Sequence, residues 1–294
     1  MAMQSVVVTG SSSGIGLGTA RVLLARGFRV FGSVRRTEDA ERLRRELGPA
    51  FVPLQFDVTD EAAVRRAADH VSAELAGATL AGLVNNAGVA FPGPLLYLPI
   101  QEFRQQVEVN LTGQLIVTQA FGPLLGADPA RVGPPGRIVM MSSVGGRNGS
   151  PFLGPYNASK FGLEGLAESL RRELMIFGID VVVIAPGAVA TPIWDKAEAL
   201  DERPFASTPY AEALRAVRTF AIEHGRRGFP PETVGRVVHK ALTVSRPRWR
   251  YTVTPDPFMF RLAMALPKRL LDRIVARRLG FTKRGVAKHL PRQR

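Results

Sequence analysis

Apolar positions return along this chain in two rhythms. Short stretches are apolar almost without interruption: Val6-Val7-Val8, Arg29 to Val34, Phe51 to Phe56, Leu80 to Val84, Ile138-Val139-Met140-Met141 and Val181-Val182-Val183-Ile184. Between them, apolar residues recur every three or four positions, the spacing of one helical face. Ile15, Ala20, Leu23 and Leu24 do so between Gly14 and Arg26, and Ala40, Leu43 and Leu47 after a capping Thr37. Further helices are predicted over Asp60 to Ala76, Pro99 to Leu125 and Tyr156 to Phe177. The Pro/Gly-rich stretch from Pro129 to Gly136 reads as a loop, and Arg250 to Val253 as a last strand. Strands alternating with helices predict right-handed crossovers and a doubly wound parallel α/β sheet with helices on both faces. Unbroken apolar strands suit burial on both faces.

In such sheets a ligand sits beyond the carboxyl ends of the strands. Polar and glycine-rich residues collect there: Thr9-Gly10, Asp57, Asn85-Asn86-Ala87-Gly88, Ser142-Ser143 and Pro186-Gly187. Thr9-Gly10-Ser11-Ser12-Ser13-Gly14-Ile15-Gly16 joins a strand to a helix. Glycines let backbone approach a pyrophosphate, and the helix start offers unpaired N–H groups. At the end of the second strand, Val34 stands where an acid would bond a ribose 2′-hydroxyl, and Arg35 follows. Guanidinium matches a 2′-phosphate, so NADP(H) is favoured and NAD(H) remains possible. Asp57 has two readings, a bond to the adenine amino group or a helix cap. Tyr156 and Lys160, four apart on a helix, hold a phenol beside an ammonium. The pair can exchange a proton near neutral pH, because a positive neighbour lowers a phenol's pKa.

With these motifs in this order, the chain resembles a short-chain dehydrogenase/reductase of the standard-length branch. The resemblance covers about residues 6 to 191, with a compatible remainder to about 245. It rests on Thr9-Gly10-x-x-x-Gly14-x-Gly16, Asp57, Asn85-Asn86-Ala87-Gly88, Asn110, Ser143, Tyr156-x-x-x-Lys160 and Pro186-Gly187-x-x-x-Thr191. It implies a Rossmann-type fold in which Tyr156 transfers the proton and Ser143 hydrogen-bonds the substrate oxygen. Lys160 lowers the phenol pKa and binds the nicotinamide ribose, and Asn110 holds a relay water. Cofactor contacts are expected at Gly10, Ser12, Ser13, Gly14, Ile15, Gly16, Arg35, Asp57, Val58, Asn86, Ala87, Gly88, Tyr156, Lys160, Pro186, Gly187, Val189 and Thr191. Many NADP-dependent members carry a base where this chain has Ser13, so the NADP reading rests on Arg35.

Residues 192–228 fall where the family places a mobile lid, here with Ile193, Trp194, Phe205 and Phe220. Ser143, Val144, Phe152, Tyr156 and Trp194 are the expected substrate contacts. The surrounding sequence resembles hydroxysteroid and retinol dehydrogenases, which implies a lipophilic secondary alcohol or ketone. The family also implies a homodimer or homotetramer.

Composition changes this picture at one end only. The 294 residues carry a net charge of +14, yet residues 246–294 hold 14 Lys and Arg against Asp256 and Asp272. The excess charge belongs to the tail. We therefore expect residues 1–255 to form one dinucleotide-binding and catalytic domain, and 256–294 a basic helical extension. Pro267 should split the extension into two helices. The second sets Leu270, Leu271, Ile274, Val275 and Leu279 against Arg269, Arg273, Arg277 and Arg278. Such a helix can pack on the protein or lie on an anionic membrane. Nucleic-acid binding is not expected, since no aromatic platform interleaves with the basic residues. The chain has no cysteine, and its four histidines show no ligand spacing, so no metal is expected. Neither a signal peptide nor a spanning segment is read, which makes a cytoplasmic place the expectation, with membrane association through the tail as a variant. Two other readings fit less well: a cofactor-binding regulator without catalysis, which the intact Asn110, Ser143, Tyr156 and Lys160 oppose, and an epimerase or dehydratase, whose glycine spacing differs.

Overall fold

The computed structural model describes residues 3–199, 201–255 and 257–279. Its strands are β1 (Ser5–Val8), β2 (Arg29–Val34), β3 (Phe51–Gln55), β4 (Gly82–Asn85), β5 (Arg137–Met141), β6 (Asp180–Pro186) and β7 (Arg250–Val253). All pair in parallel, in the order β3-β2-β1-β4-β5-β6-β7. The chain winds outward from β1 to β3, then crosses back to lay β4 against β1. That reversal opens a crevice above β1 and β4, where the glycine turn and the Asn85-Asn86-Ala87-Gly88 segment meet.

Both faces of the sheet are covered, as the uninterrupted apolar strands require. On one face Val7, Leu83, Ile138, Met140, Val181 and Val183 pack with α3 (Glu61–Leu75), α5 (Gly113–Phe121) and α6 (Gly154–Glu173). On the other, Val6, Val8, Val84, Val139, Val182 and Ile184 pack with α1 (Gly14–Ala25), α2 (Thr37–Leu47) and α9 (Pro231–Thr243). Alternate residues of one strand therefore serve opposite layers. Helices α1 and α9 touch almost backbone to backbone: a Cβ on Gly18 would lie 2.6 Å from Pro231 Cβ, and one on Gly235 2.8 Å from Gly18 O.

Three differences from the sequence reading matter. The helix expected over Pro99 to Leu125 is interrupted. It runs as α4 (Ile100–Val107), a π turn over Glu108–Thr112, then α5 and a short 3₁₀ turn. The wide turn, closed by Gly113 N–H on Glu108 O, centres on Asn110, and such bulges often sit at functional sites. Second, Asp60, not Asp57, caps α3, its Oδ1 accepting from Ala63 N at 2.9 Å. Third, residues 192–228, expected as a lid, contain α7 (Ile193–Glu198) and α8 (Ala211–Arg226). Beyond β7 the tail forms α10 (Pro257–Ala265) and α11 (Lys268–Arg278), divided at Pro267 as expected. Residues 280–294 of the basic extension lie outside the described residues. Among those described, no helix is long and apolar enough to cross a membrane.

Candidate active site

The turn after β1 is made by glycines that contacts demand. Gly10 and Gly14 have φ of +68° and +57°, which L side chains rarely adopt. A Cβ on Gly16 would fall 2.1 Å from Gly10 O, and one on Gly10 3.0 Å from Ala87 Cα. Thr9 Oγ1 accepts from Asn86 N and Ala87 N, at 2.8 and 2.9 Å, while Asn86 Nδ2 donates to Thr9 O at 2.8 Å. Asn86 thus braces the turn with its side chain. Gly10 N donates to Ser33 Oγ at 2.9 Å, and Arg42 Nη2 to Ser12 O at 2.8 Å. Arg42 thereby joins α2 to this loop. Thr191 closes the other side: its Cβ lies 3.3 Å from the position a Cβ on Gly14 would take. The result is a backbone cradle with no room for side chains, and it fits a dinucleotide.

Arg35 is well exposed at the end of β2, with Nη1 3.8 Å from Asp57 Oδ2. Asp57 Oδ1 is occupied by its own turn, accepting from Thr59 N and Thr59 Oγ1 at 3.0 and 2.8 Å. Val58 is buried, packed against Gly113, so only its backbone faces the crevice side. Val189 is buried too and bridges Phe229. Gly187 N donates to Val253 O at 2.8 Å, which hangs the 187–191 segment on the end of β7.

Three amides spaced four apart, Gln106, Asn110 and Gln114, are all buried. They hold the segment after β4 as a neighbouring strand would. Gln114 Nε2 donates to Ala87 O at 2.8 Å. Asn110 accepts from Val89 N at 2.8 Å and donates to Val89 O at 3.0 Å and Ser159 Oγ at 3.1 Å. Gln106 accepts from Phe91 N at 2.8 Å and donates to Val89 O at 2.6 Å. The side chain of Asn110 is therefore committed to protein partners, so a relay water expected at this residue would have to be held by its main chain. Gln106 and Gln114 escaped that reading, although the stripe of amides at helical spacing was visible in it.

Residues 143 to 160 gather the reactive groups. Ser143 opens a 3₁₀ turn, Val144–Gly146, and its Oγ accepts from Gly145 N at 3.0 Å. Its hydroxyl donates only a long bond, to Pro186 O at 3.5 Å, which a better-placed acceptor can replace. Tyr156 and Lys160 lie one turn apart on α6, with Lys160 Nζ 5.7 Å from the Tyr156 ring centre. Lys160 is buried and its Nζ donates to Met141 O at 2.8 Å. The spacing predicts an acidified phenol, but burial reverses the sign. Loss of water pushes the Tyr156 phenol above its ordinary value, and the hydrogen bond with Ser143 offsets this only in part. The same burial pulls Lys160 down to about 8.

The expected substrate contacts divide. Phe152 is buried with φ +63°, in a cluster with Phe205 and Leu214 that Leu98 and Tyr210 complete. Its ring meets Tyr210 edge-on at 5.9 Å. Val144 is half-buried beside Ser143. Trp194 is engaged within the protein: its indole N–H donates to Val189 O at 2.7 Å and its ring packs against Gly225. Phe220 points outward and stacks on His224 at 3.7 Å. Among the described residues no cluster of three or more His, Asp or Glu could hold a metal.

A pyrophosphate cradle beside a desolvated phenol and amine defines the class: a nicotinamide-dependent oxidoreductase on a Rossmann-type fold. Comparison with known proteins gives the family. The short chain dehydrogenase family model matches residues 4–201. An NADPH-dependent 3-dehydrocapnine reductase from Ornithobacterium rhinotracheale is 41% identical over 273 residues, covering 92% of this chain and 96% of that protein. Retinol dehydrogenase 5 from Homo sapiens is 36% identical over 286 residues, covering 92% and 87%. The crystal structure of a short-chain dehydrogenase from Streptomyces avermitilis aligns with a TM-score of 0.75 at 26% identity, over 97% and 98% of the two chains. The chain belongs to the short-chain dehydrogenases and is an NAD(P)-dependent oxidoreductase acting on CH–OH groups.

Proposed function

We propose that this enzyme reduces a lipophilic ketone, with NADPH favoured and Tyr156 as proton donor. The observation that carries the reading is geometric: Tyr156 and Lys160 stand one turn apart on α6, Nζ 5.7 Å from the phenol ring, and the Gly145 backbone of the Ser143 turn is pressed against that ring. A phenol held above its ordinary pKa stays protonated at neutral pH and is suited to giving a proton to a carbonyl oxygen as that oxygen gains charge. Ser143 donates a second hydrogen bond to the same oxygen. The bound nicotinamide supplies the hydride. Lys160 holds the pair in place from beneath. Asn110 fixes the Val89 backbone and Ser159, and so the floor of the site.

Arg35 supports NADPH: it is exposed just beyond β2, and its one ion pair, to Asp57 Oδ2 at 3.8 Å, is long and solvent-facing, which leaves the guanidinium able to meet a 2′-phosphate. The reductase at 41% identity carries NADPH in its name. The Phe152, Phe205 and Leu214 cluster, and the likeness to a retinol dehydrogenase, support an apolar substrate. The test is fluorescence titration with NADPH and NADH, then a panel of long-chain and cyclic ketones against sugars and hydroxy acids. Tyr156→Phe should lose turnover about 1,000-fold while binding NADPH as before. Equal turnover by the two proteins would overturn the proposed donor. NADPH binding without turnover of any carbonyl would favour a regulator.

A second reading concerns the tail, and α10 favours it. Phe260 and Met264 line the groove against α6 and β7, whereas Phe258 and Leu262, on another side of the same helix, are 73% and 48% exposed. Leu270 and Ile274 continue this exposed face on α11, beside Arg269, Arg273 and Arg277. An apolar strip flanked by arginines suits the surface of an anionic bilayer, which would make a cytoplasmic enzyme peripherally membrane-bound.

A further inference from the structure

One turn beyond Lys160, α6 carries Glu164, a carboxylate nearly closed off from water. It collects donors from three separate segments. Ser142 Oγ donates to Oε1 at 3.0 Å. Arg147 Nε donates to Oε2 at 3.0 Å. Arg250, at the start of β7, donates through Nη2 at 2.9 Å and through Nε at 3.0 and 3.1 Å. The Arg250 side chain is only 7% exposed.

Ser142 and Arg147 are the two ends of the turn that carries Ser143. The turn is also pressed onto α6 along its length. A Cβ on Gly146 would lie 2.5 Å from Ser142 Oγ and 2.9 Å from Glu164 Oε1. One on Gly145 would lie 2.9 Å from Asn157 Oδ1 and 3.4 Å from the Tyr156 ring. Two glycines thus bring the turn's backbone within reach of the carboxylate and the catalytic helix. A buried ion pair contributes little net stability, because desolvation offsets the attraction. What it does impose is geometry, since a carboxylate with this many donors has one orientation.

We infer that Glu164 is a positioning residue: by clamping both ends of the Ser142–Arg147 turn to the helix that bears Tyr156 and Lys160, it fixes where Ser143 presents its hydroxyl. Arg250 neutralises the clamp and ties it to β7, whose Val253 carbonyl holds Gly187. The inference rests on the reductase reading of the same site.

The test uses the full chain and four variants: Glu164→Gln, Glu164→Gln with Arg250→Gln, Ser142→Ala and Tyr156→Phe. Ser142→Ala removes a hydroxyl whose side-chain partner is Glu164 and spares the ion pair, so it should fold. For each folded variant, kcat and the carbonyl KM are measured well below its melting midpoint, together with NADPH affinity. Glu164→Gln should lower kcat 10- to 100-fold and Ser142→Ala about 3- to 10-fold, with NADPH affinity within twofold of wild type in both. The double variant, which leaves no unpaired Arg250 charge, should keep the low kcat. Wild-type kcat in both Ser142→Ala and the double variant would reduce Glu164 to a structural role and overturn the inference. Turnover by Tyr156→Phe at the wild-type rate would instead overturn the proton-donor reading.

Discussion

The two walls of the cleft are made of different material. On the cofactor side, backbone meets backbone: Gly16 against Gly10 O, Gly10 against Ala87, and three amide side chains pairing with the 87–91 main chain. On the side we propose for the substrate, long apolar side chains meet one another: Phe152, Phe205, Leu214 and Tyr210. The first kind of contact dictates residue identity, because only glycine lacks a Cβ. The second dictates a volume, which several apolar residues can fill. One wall therefore accepts a single ligand shape, and the other sets a size that substitution can retune.

The sharpest way to break that comparison is Gly16→Ala. The added methyl would sit 2.1 Å from Gly10 O and 2.7 Å from Asn86 Nδ2, so the turn must open. We expect a loss of about 3 kcal/mol in unfolding free energy and no measurable NADPH binding by fluorescence titration. Leu214→Met, a volume-conserving change in the substrate-side cluster, should cost less than about 1.5 kcal/mol in the same melts and leave NADPH affinity unchanged. Comparable losses in the two proteins would show that the walls do not differ as described.

The same contrast explains what could be read from the chain. Strands β1 to β7, the glycine turn at Gly10 and Gly14, and the one-turn spacing of Tyr156 and Lys160 are legible in the sequence, because their constraints are local: an apolar run, a turn, a spacing. The sign of the Tyr156 shift is not. Spacing shows a nearby cation, whereas burial depends on everything packed around the phenol. Trp194 and Phe220 were read as pocket residues because they are large and apolar and stand in the expected lid. Which way each faces is set by α8, a helix placed by tertiary contacts. Helix α9 carries helical spacing at Val234, Val237, Val238 and Ala241 but no motif, and its place is set by the close approach of Gly18 and Gly235 across the α1–α9 contact. The π turn at Asn110 had no local sign beyond a polar residue in an amphipathic helix.

Lys160 sharpens the comparison at the floor between the walls, with a smaller effect. Its folded pKa is about 8, against 10.5 for a free lysine. Between these values the unfolded chain binds the extra proton, so stability rises with pH across that window and is lost as pH falls through about 8. Lys160→Met abolishes the dependence. Relative to that variant, wild type should gain about 2 to 3 kcal/mol between pH 7 and pH 10, read from denaturant unfolding. The Tyr156 phenol is shifted the other way and adds stability that is lost only above pH 10, so the comparison stops there. A flat difference would show that Lys160 is hydrated, and that the cofactor-side wall is looser than its contacts imply.

The smallest effect on folding belongs to the tail. Replacing Phe258 and Leu262 together by serine removes two exposed side chains from α10 and leaves Phe260 and Met264 on the protein. Unfolding free energy and turnover of a water-soluble ketone should change by no more than about 0.5 kcal/mol, as for other surface substitutions. Co-sedimentation with vesicles containing an anionic phospholipid is the discriminating measurement. If the exposed strip inserts among acyl chains, losing two large apolar groups should weaken partitioning about tenfold or more, and salt should weaken it further by screening the arginines. A wild-type protein that stays in the supernatant at low salt would leave the strip without that role. A variant that sediments equally well would assign any binding to charge alone.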